Sequence, residues 1–231
     1  MAISAMIRIL GLLVLALLIG SNWAVAGDSD PSRVATEQGR LRVLFIGNSH
    51  LQVKNVPAQV RAKISKKYNK VQIRMLAVGG ARLTDFVGRP DVVAALKKSK
   101  WDVVVLQEAS ISFLSGSGRK VFHESVDWFL RKIGNDTRVI LYQTWPWQTG
   151  SRYYRSAAIG ETAMWKLMRA EYAKAALNAR ITIAPVGKCW VQSARKKSFY
   201  STDGNHASVA GAAFAAKIIA RTIVSGKPVA C

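Results

Sequence analysis

Short runs of apolar, largely β-branched residues recur along the chain. They alternate with longer stretches in which apolar residues return every three or four positions. Residues 41–46 (LRVLFI) form the first run and end at Gly47. Residues 56–68 follow with Val56, Val60 and Ile64 at helical spacing. A second strand is expected over 71–78, closed by Gly79 and Gly80, then a short helix over 92–98. Residues 102–106 (DVVVL) are apolar enough to form a parallel strand buried on both faces. Beyond them the pattern predicts a helix over 120–133, with Val121, Val126, Phe129, Leu130 and Ile133 on one side, and a fourth strand over 138–143. A long helix over 157–179, a fifth strand over 181–186 and a last helix over 208–224 complete the series. Strands that alternate with helices in this way build a parallel sheet covered on both faces, a three-layer α/β/α sandwich. Reactive groups in such sheets gather at the carboxyl ends of the strands. The places to search are therefore residues 47–50, 79–82, 107–110 and 144–148, and the segment before the last helix.

The first residues stand apart from this pattern. Arg8 precedes an uninterrupted apolar run over 9–20, and Ala24-Val25-Ala26 offers the small residues a signal peptidase accepts. The run falls short of the roughly 20 residues that cross a bilayer. Residues 1–26 are therefore expected to be a signal peptide, residues 27–40 a polar leader, and residues 41–231 a single exported domain, periplasmic or secreted. No membrane span is expected after cleavage. Cys189 and Cys231 both fall in the exported part, where an oxidising compartment permits a disulfide between them.

At the end of the first strand stands Gly47-Asn48-Ser49-His50. A serine there is presented at the sheet edge, although Gly-Asn-Ser by itself is also an ordinary turn. A serine nucleophile needs a base to take its proton and a carboxylate to hold that base in the right tautomer. Asp203 and His206, in Ser201-Thr202-Asp203-Gly204-Asn205-His206 before the last helix, can supply both. The plainer reading of Asp-x-x-His is a helix cap with an incidental histidine.

These two blocks resemble the first and last blocks of the SGNH (GDSL-like) hydrolases. The resemblance runs from residue 41 to about residue 224. It implies a flavodoxin-like sheet of five parallel strands, with Ser49, Asp203 and His206 as the catalytic triad. Gly-Asn-Ser replaces the usual Gly-Asp-Ser. The family pattern also implies an oxyanion hole from the Ser49 N–H, the N–H of Gly80 (with Gly79 adjacent) and an amide side chain after the third strand. There this chain departs: Leu106-Gln107-Glu108 stands where Gly-x-Asn-Asp is usual. Gln107 carries the same amide one methylene further out and can donate, or it can bond to backbone instead. Glu108 reads as a partner for a loop N–H, and His50 as part of the rim. Of the two tryptophans in Thr144-Trp145-Pro146-Trp147-Gln148, Trp145, nearer the strand, is the one expected to contact substrate.

The activity implied is hydrolysis of carboxylic esters, with short acyl or O-acetyl groups, free or on carbohydrate. No metal or cofactor is expected, because the chain has no His-x-x-x-His, no closely spaced cysteine pair and no phosphate-binding loop. Charge complicates the picture. Lys and Arg number 34 against 13 Asp and Glu, a formal +21. The basic residues are scattered, so non-specific contact with polyanions is expected and specific nucleic-acid recognition is not. Two rival readings stay open: a non-catalytic polyanion-binding envelope protein on the same fold, and an O-acyltransferase using the same residues.

Overall fold

The computed structural model describes residues 39–98, 100–157 and 159–231. The expected signal peptide and almost all of the leader lie outside the described residues. The five strands are β1 (Arg40–Gly47), β2 (Lys70–Ala77), β3 (Val103–Leu106), β4 (Arg138–Tyr142) and β5 (Ile181–Ala184). All neighbouring pairs are parallel, in the order β2-β1-β3-β4-β5. That order is the flavodoxin-like one, and it reverses between β1 and β3. The two strands therefore send their connections to opposite faces, and a crevice opens at their carboxyl ends.

Alternation along the strands builds two cores. Leu41, Val43 and Phe45 of β1 join Val103 and Val105 of β3 on one face, while Leu44 and Ile46 join Val104 and Leu106 on the other. Period-two geometry dictates this split, and continuous apolar sequence makes it possible on both sides at once. Nine α-helices are present among the described residues. α1 (Ser49–Gln52) and α2 (Val56–Ile64) follow β1; α3 (Pro90–Lys98) follows β2; α4 (Gly116–Lys132) follows β3. Then come α5 (Arg152–Ala157), α6 (Glu161–Ala175), α7 (Val186–Gln192), α8 (Lys196–Phe199) and α9 (Val209–Ser225). Residues of α2, α7, α8 and α9 fill the first core, and residues of α3, α4 and α6 the second.

Local chemistry fixes several helix ends. Asn55, Ser115 and Ser208 each accept a hydrogen bond from a first-turn N–H with their side chains, a cap worth about 1 kcal/mol. Gly226 closes α9 in the left-handed region, at φ 68°. Several expected boundaries change: α2 ends at Ile64, α4 starts at Gly116, and two further changes have a visible local cause. The long helix over 157–179 is replaced by α6, which starts after Gly160 in extended backbone (ψ 150°). The fifth strand stops at Ala184, because Pro185 caps α7 and Val186 already belongs to that helix. Cys189 and Cys231 form a disulfide with Cα atoms 5.0 Å apart, which ties the chain end to α7.

Candidate active site

Ser49 is the first residue of α1, immediately beyond the carboxyl end of β1 and beside the crevice between β1 and β3. Asn48 caps that short helix: its side-chain oxygen accepts from the His50 N–H at 3.1 Å. Its amide nitrogen donates to the Ala81 carbonyl at 2.9 Å, which joins the nucleophile turn to the turn after β2. Gly47 is needed here for space rather than for conformation. A Cβ at that position would meet Gln107 Oε1 at 2.5 Å.

The last block arrives from the far end of the chain. Tyr200 and Ala207 pair in an antiparallel bridge, and Ser201 N–H donates to the His206 carbonyl at 2.8 Å, so the loop closes on itself. Within it, Asp203 Oδ1 accepts from the backbone N–H groups of Asn205 and His206, both at 3.0 Å. Asp203 Oδ2 lies 2.5 Å from His206 Nδ1, and His206 Nε2 lies 2.8 Å from Ser49 Oγ. The structure thus brings Ser49, His206 and Asp203 into one hydrogen-bonded line across 157 positions of sequence. Partial burial opposes ionisation of Asp203. The hydrogen bonds from His206 and the two backbone N–H groups outweigh it and hold the carboxyl below its usual range.

Ser49 and His206 line a cavity of about 290 Å³ whose walls also include Asn48, His50, Gly80, Ile111, Trp147 and Tyr153. Gly80 holds φ at 74°, a left-handed backbone in which a side chain would be strained. Neither the Ser49 nor the Gly80 N–H has a backbone or side-chain acceptor among the described residues. Both remain available beside the serine hydroxyl.

Gln107 departs from the expected role. It is fully buried, its Oε1 accepts from the Asn48 N–H at 2.8 Å and its Nε2 donates to the Glu108 carbonyl at 2.7 Å. The amide that was expected to face an oxyanion is spent inside the protein, and the residue does not reach the cavity wall. Its side chain packs against Gly47. Gln107 thus holds the nucleophile turn from below. Gln107→Ala is expected to leave the Asn48 N–H buried without an acceptor, at a cost of about 1–3 kcal/mol. In a chain of this size each kcal/mol lowers the melting point by roughly 2–4 °C. Unchanged melting with a selective loss of kcat would instead return Gln107 to the oxyanion.

The tryptophans exchange places relative to expectation. Trp145 is fully buried and stacks on Trp190, ring centroids 3.7 Å apart. It acts behind the site: its indole N–H donates to the Asn205 carbonyl at 2.9 Å and its ring meets His50 edge-on. Trp147 is the one that lines the cavity, 5.5 Å from the Tyr153 ring. His50 is a buried wall rather than rim. Burial, with His206 nearby and only partly offset by Asp203, lowers its pKa to about 3, so its ring is neutral at ordinary pH. Glu108 does accept loop N–H groups, those of Leu83 and Ala109, and also the Ser112 hydroxyl. It laces the loops after β2 and β3 together, and burial raises its pKa to about 7 against those hydrogen bonds. Of the cavity walls that sequence reasoning missed, Asn48 and Asn205 sit inside the two motif blocks. Ile111 and Tyr153 carried no local signal at all. Among the described residues no group of three or more His, Cys, Asp or Glu is placed to hold a metal.

Fold and site together define a hydrolase of the SGNH (GDSL-like) superfamily. A protein from Slackia heliotrinireducens assigned to the SGNH hydrolases is similar at 26% identity and a TM-score of 0.72, over 80% of this chain and 99% of that one. A lipase/acylhydrolase from Enterococcus faecalis has the same fold at 18% identity and a TM-score of 0.66, over 83% of this chain and 100% of that one. So does an acetylxylan esterase from Geobacillus stearothermophilus, at 14% identity and a TM-score of 0.56, over 79% and 94% of the two chains. No protein-family model and no curated protein matches the sequence.

Proposed function

We propose that the chain is an exported serine esterase that hydrolyses carboxylic esters with short acyl groups, O-acetyl groups on carbohydrate among them. The observation that carries this reading is the hydrogen-bonded line Ser49–His206–Asp203 at the mouth of the cavity. His206 takes the Ser49 proton as Oγ attacks the ester carbonyl, and Asp203 holds the imidazole with its proton on Nδ1. The N–H groups of Ser49 and Gly80 receive the charge that develops on the carbonyl oxygen. His206 then protonates the departing alkoxide and next deprotonates the water that releases the acid. Throughout this cycle His50 stays neutral, so it does not oppose the imidazolium that forms on His206.

The size of the cavity, about 290 Å³, favours a short acyl group. Trp147 and Tyr153 offer aromatic surface of the kind a sugar ring packs against. Export is supported by the basic-then-apolar start of the chain with its small-residue cleavage pattern, and by the Cys189–Cys231 disulfide, a bond favoured in oxidising compartments. The domain limits, with residues 41–231 as the hydrolase, form part of the same proposal. It is tested with p-nitrophenyl esters from acetyl to dodecanoyl and with acetylated xylan. Acetyl and butyryl esters should be cleaved best, with kcat/KM lower by roughly ten-fold or more at eight carbons, as expected for groups the site cannot seat. A preference for long chains would overturn the acyl-length assignment. A folded protein that cleaves no ester would overturn the reading itself.

A further inference from the structure

A second concavity among the described residues lies away from Ser49. It measures about 550 Å³ and lies between α2, α9 and the residues after α9. Its place in the fold follows from the connections. α2 runs away from the active edge and leads into β2, which starts at Lys70 opposite Arg40. The last turns of α9 meet the same end of the sheet, where Arg138, at the start of β4, donates to the Ile223 carbonyl at 2.8 Å. The groove therefore opens at the amino-terminal edge of the strands, the edge opposite Ser49.

Its chemistry is two-sided. Ile64 and Ala220 form a buried apolar floor, and half-buried Val224 and Val229 extend it. Lys63, Lys66, Lys217 and Arg221 stand exposed around it. None of the four forms an ion pair among the described residues, and no Asp or Glu lines the groove. Arg221 does donate one N–H to the Ala230 carbonyl, a neutral partner that leaves its charge uncompensated. Val229 belongs to a chain end held by the Cys189–Cys231 disulfide, so this wall is anchored at both ends rather than left loose.

Four unpaired cations around an apolar trough fit one kind of occupant better than others. A hydrophilic polyanion would satisfy the cations and leave the trough wet. A neutral acyl chain would fill the trough and leave the cations unused. The geometry points to a second binding site here, for a single-chain anionic amphiphile: an alkyl chain along Ile64 and Val224, ending in a carboxylate or phosphate among Lys63, Lys66, Lys217 and Arg221. Burial of the chain supplies affinity in proportion to the apolar area covered, and the cations select the anionic head.

Dodecanoate, dodecanol and inorganic phosphate serve as probes, with binding measured by calorimetry and located by hydrogen exchange. Dodecanoate should bind one-to-one and slow exchange over residues 60–66 and 217–229. Dodecanol and phosphate should each bind about ten-fold more weakly or worse. The double variant K217E/R221E, altered only at exposed positions, should melt like the parent and lose dodecanoate affinity by about ten-fold or more at low salt, less at high salt. Equal affinity for dodecanol, equal affinity for phosphate, undiminished binding by K217E/R221E, or protection at residues 48–50 and 205–206 instead would each overturn the assignment. No part of this test measures ester cleavage, so its outcome is separate from that of the esterase reading.

Discussion

Ser49→Ala is expected to lower kcat for ester hydrolysis by roughly 10⁴–10⁶-fold, as removal of a triad serine does elsewhere. It should also abolish covalent labelling by a fluorophosphonate. The substitution removes a single oxygen from a half-buried side chain whose partner is His206 Nε2 at 2.8 Å. Alanine keeps the Cβ and fits the first position of α1. The melting temperature should therefore stay close to the parent's, since changes of this kind usually stay within about 0.5 kcal/mol. Loss of activity without loss of stability separates a nucleophile from a packing residue. Other serines give the control. Ser110 is buried and donates to Thr144 Oγ1 and the Trp145 carbonyl, and Ser151 accepts from the Tyr154 N–H. Probe attached to either of them, or undiminished turnover in the alanine variant, would end the case for Ser49.

The second large effect is expected at Asp203. Asp203→Asn preserves shape and volume but reverses the hydrogen bond that matters. The backbone N–H groups of Asn205 and His206 already occupy Oδ1, so the side-chain oxygen of asparagine is retained there and its NH₂ is turned toward His206 Nδ1. Nδ1 must then accept, the ring proton moves to Nε2, and Nε2 can no longer take the proton of Ser49. A wrong-tautomer imidazole of this kind costs on the order of 10⁴ in kcat, with KM changed far less. The carboxyl is held below its usual range in the folded protein. Its contribution to stability is therefore present above the unfolded carboxylate pKa and lost as pH falls through the lower folded value. The asparagine variant should lack that component, so its melting point should vary less with pH in the acid range. Asp203→Ala, which also releases the two backbone N–H groups, should melt lower than Asp203→Asn. Near-normal kcat in Asp203→Asn would remove the residue from the mechanism.

Both experiments address residues that could be found without a structure, because each stands in a segment whose place follows from local pattern. The strands were readable since a parallel strand buried on both faces must be apolar throughout, as 103–106 are, and because the intervening helices repeat their apolar residues on one side. Ser49 follows β1 and the Asp203–His206 loop precedes α9, and it is their resemblance to the first and last SGNH blocks that pairs them in the sequence. Helix ends without strong signals were harder to find. The break before α6 depends on the extended backbone of Gly160, and α7 begins at Val186 because Pro185 caps it.

What sequence left open was settled by directions in space. Gln107 and an asparagine donor carry the same amide, and composition cannot say which way it points. The approach of β3 to Gly47, where no Cβ intervenes, turns that amide onto Asn48 and Glu108 and away from the cavity. Trp145 and Trp147 are a similar case. Within β4 the side chains alternate, with Tyr142 in the first core and Leu141 in the second. Continued alternation would send Trp145 to the second core, yet it lies in the first with Tyr142, and Trp147 occupies the second. Past the last ladder hydrogen bond the period of two no longer binds the chain. The Trp190 ring stacked on Trp145 and the Asn205 carbonyl bonded to it decide its direction instead. Sequence determined the alternating strands and helices, because those follow from periodicity, and marked Ser49, Asp203 and His206 through two blocks that resemble the SGNH pattern. Tertiary structure alone decided which amide and which ring face the cavity, because a side chain beyond a strand end takes its direction from partners distant in sequence.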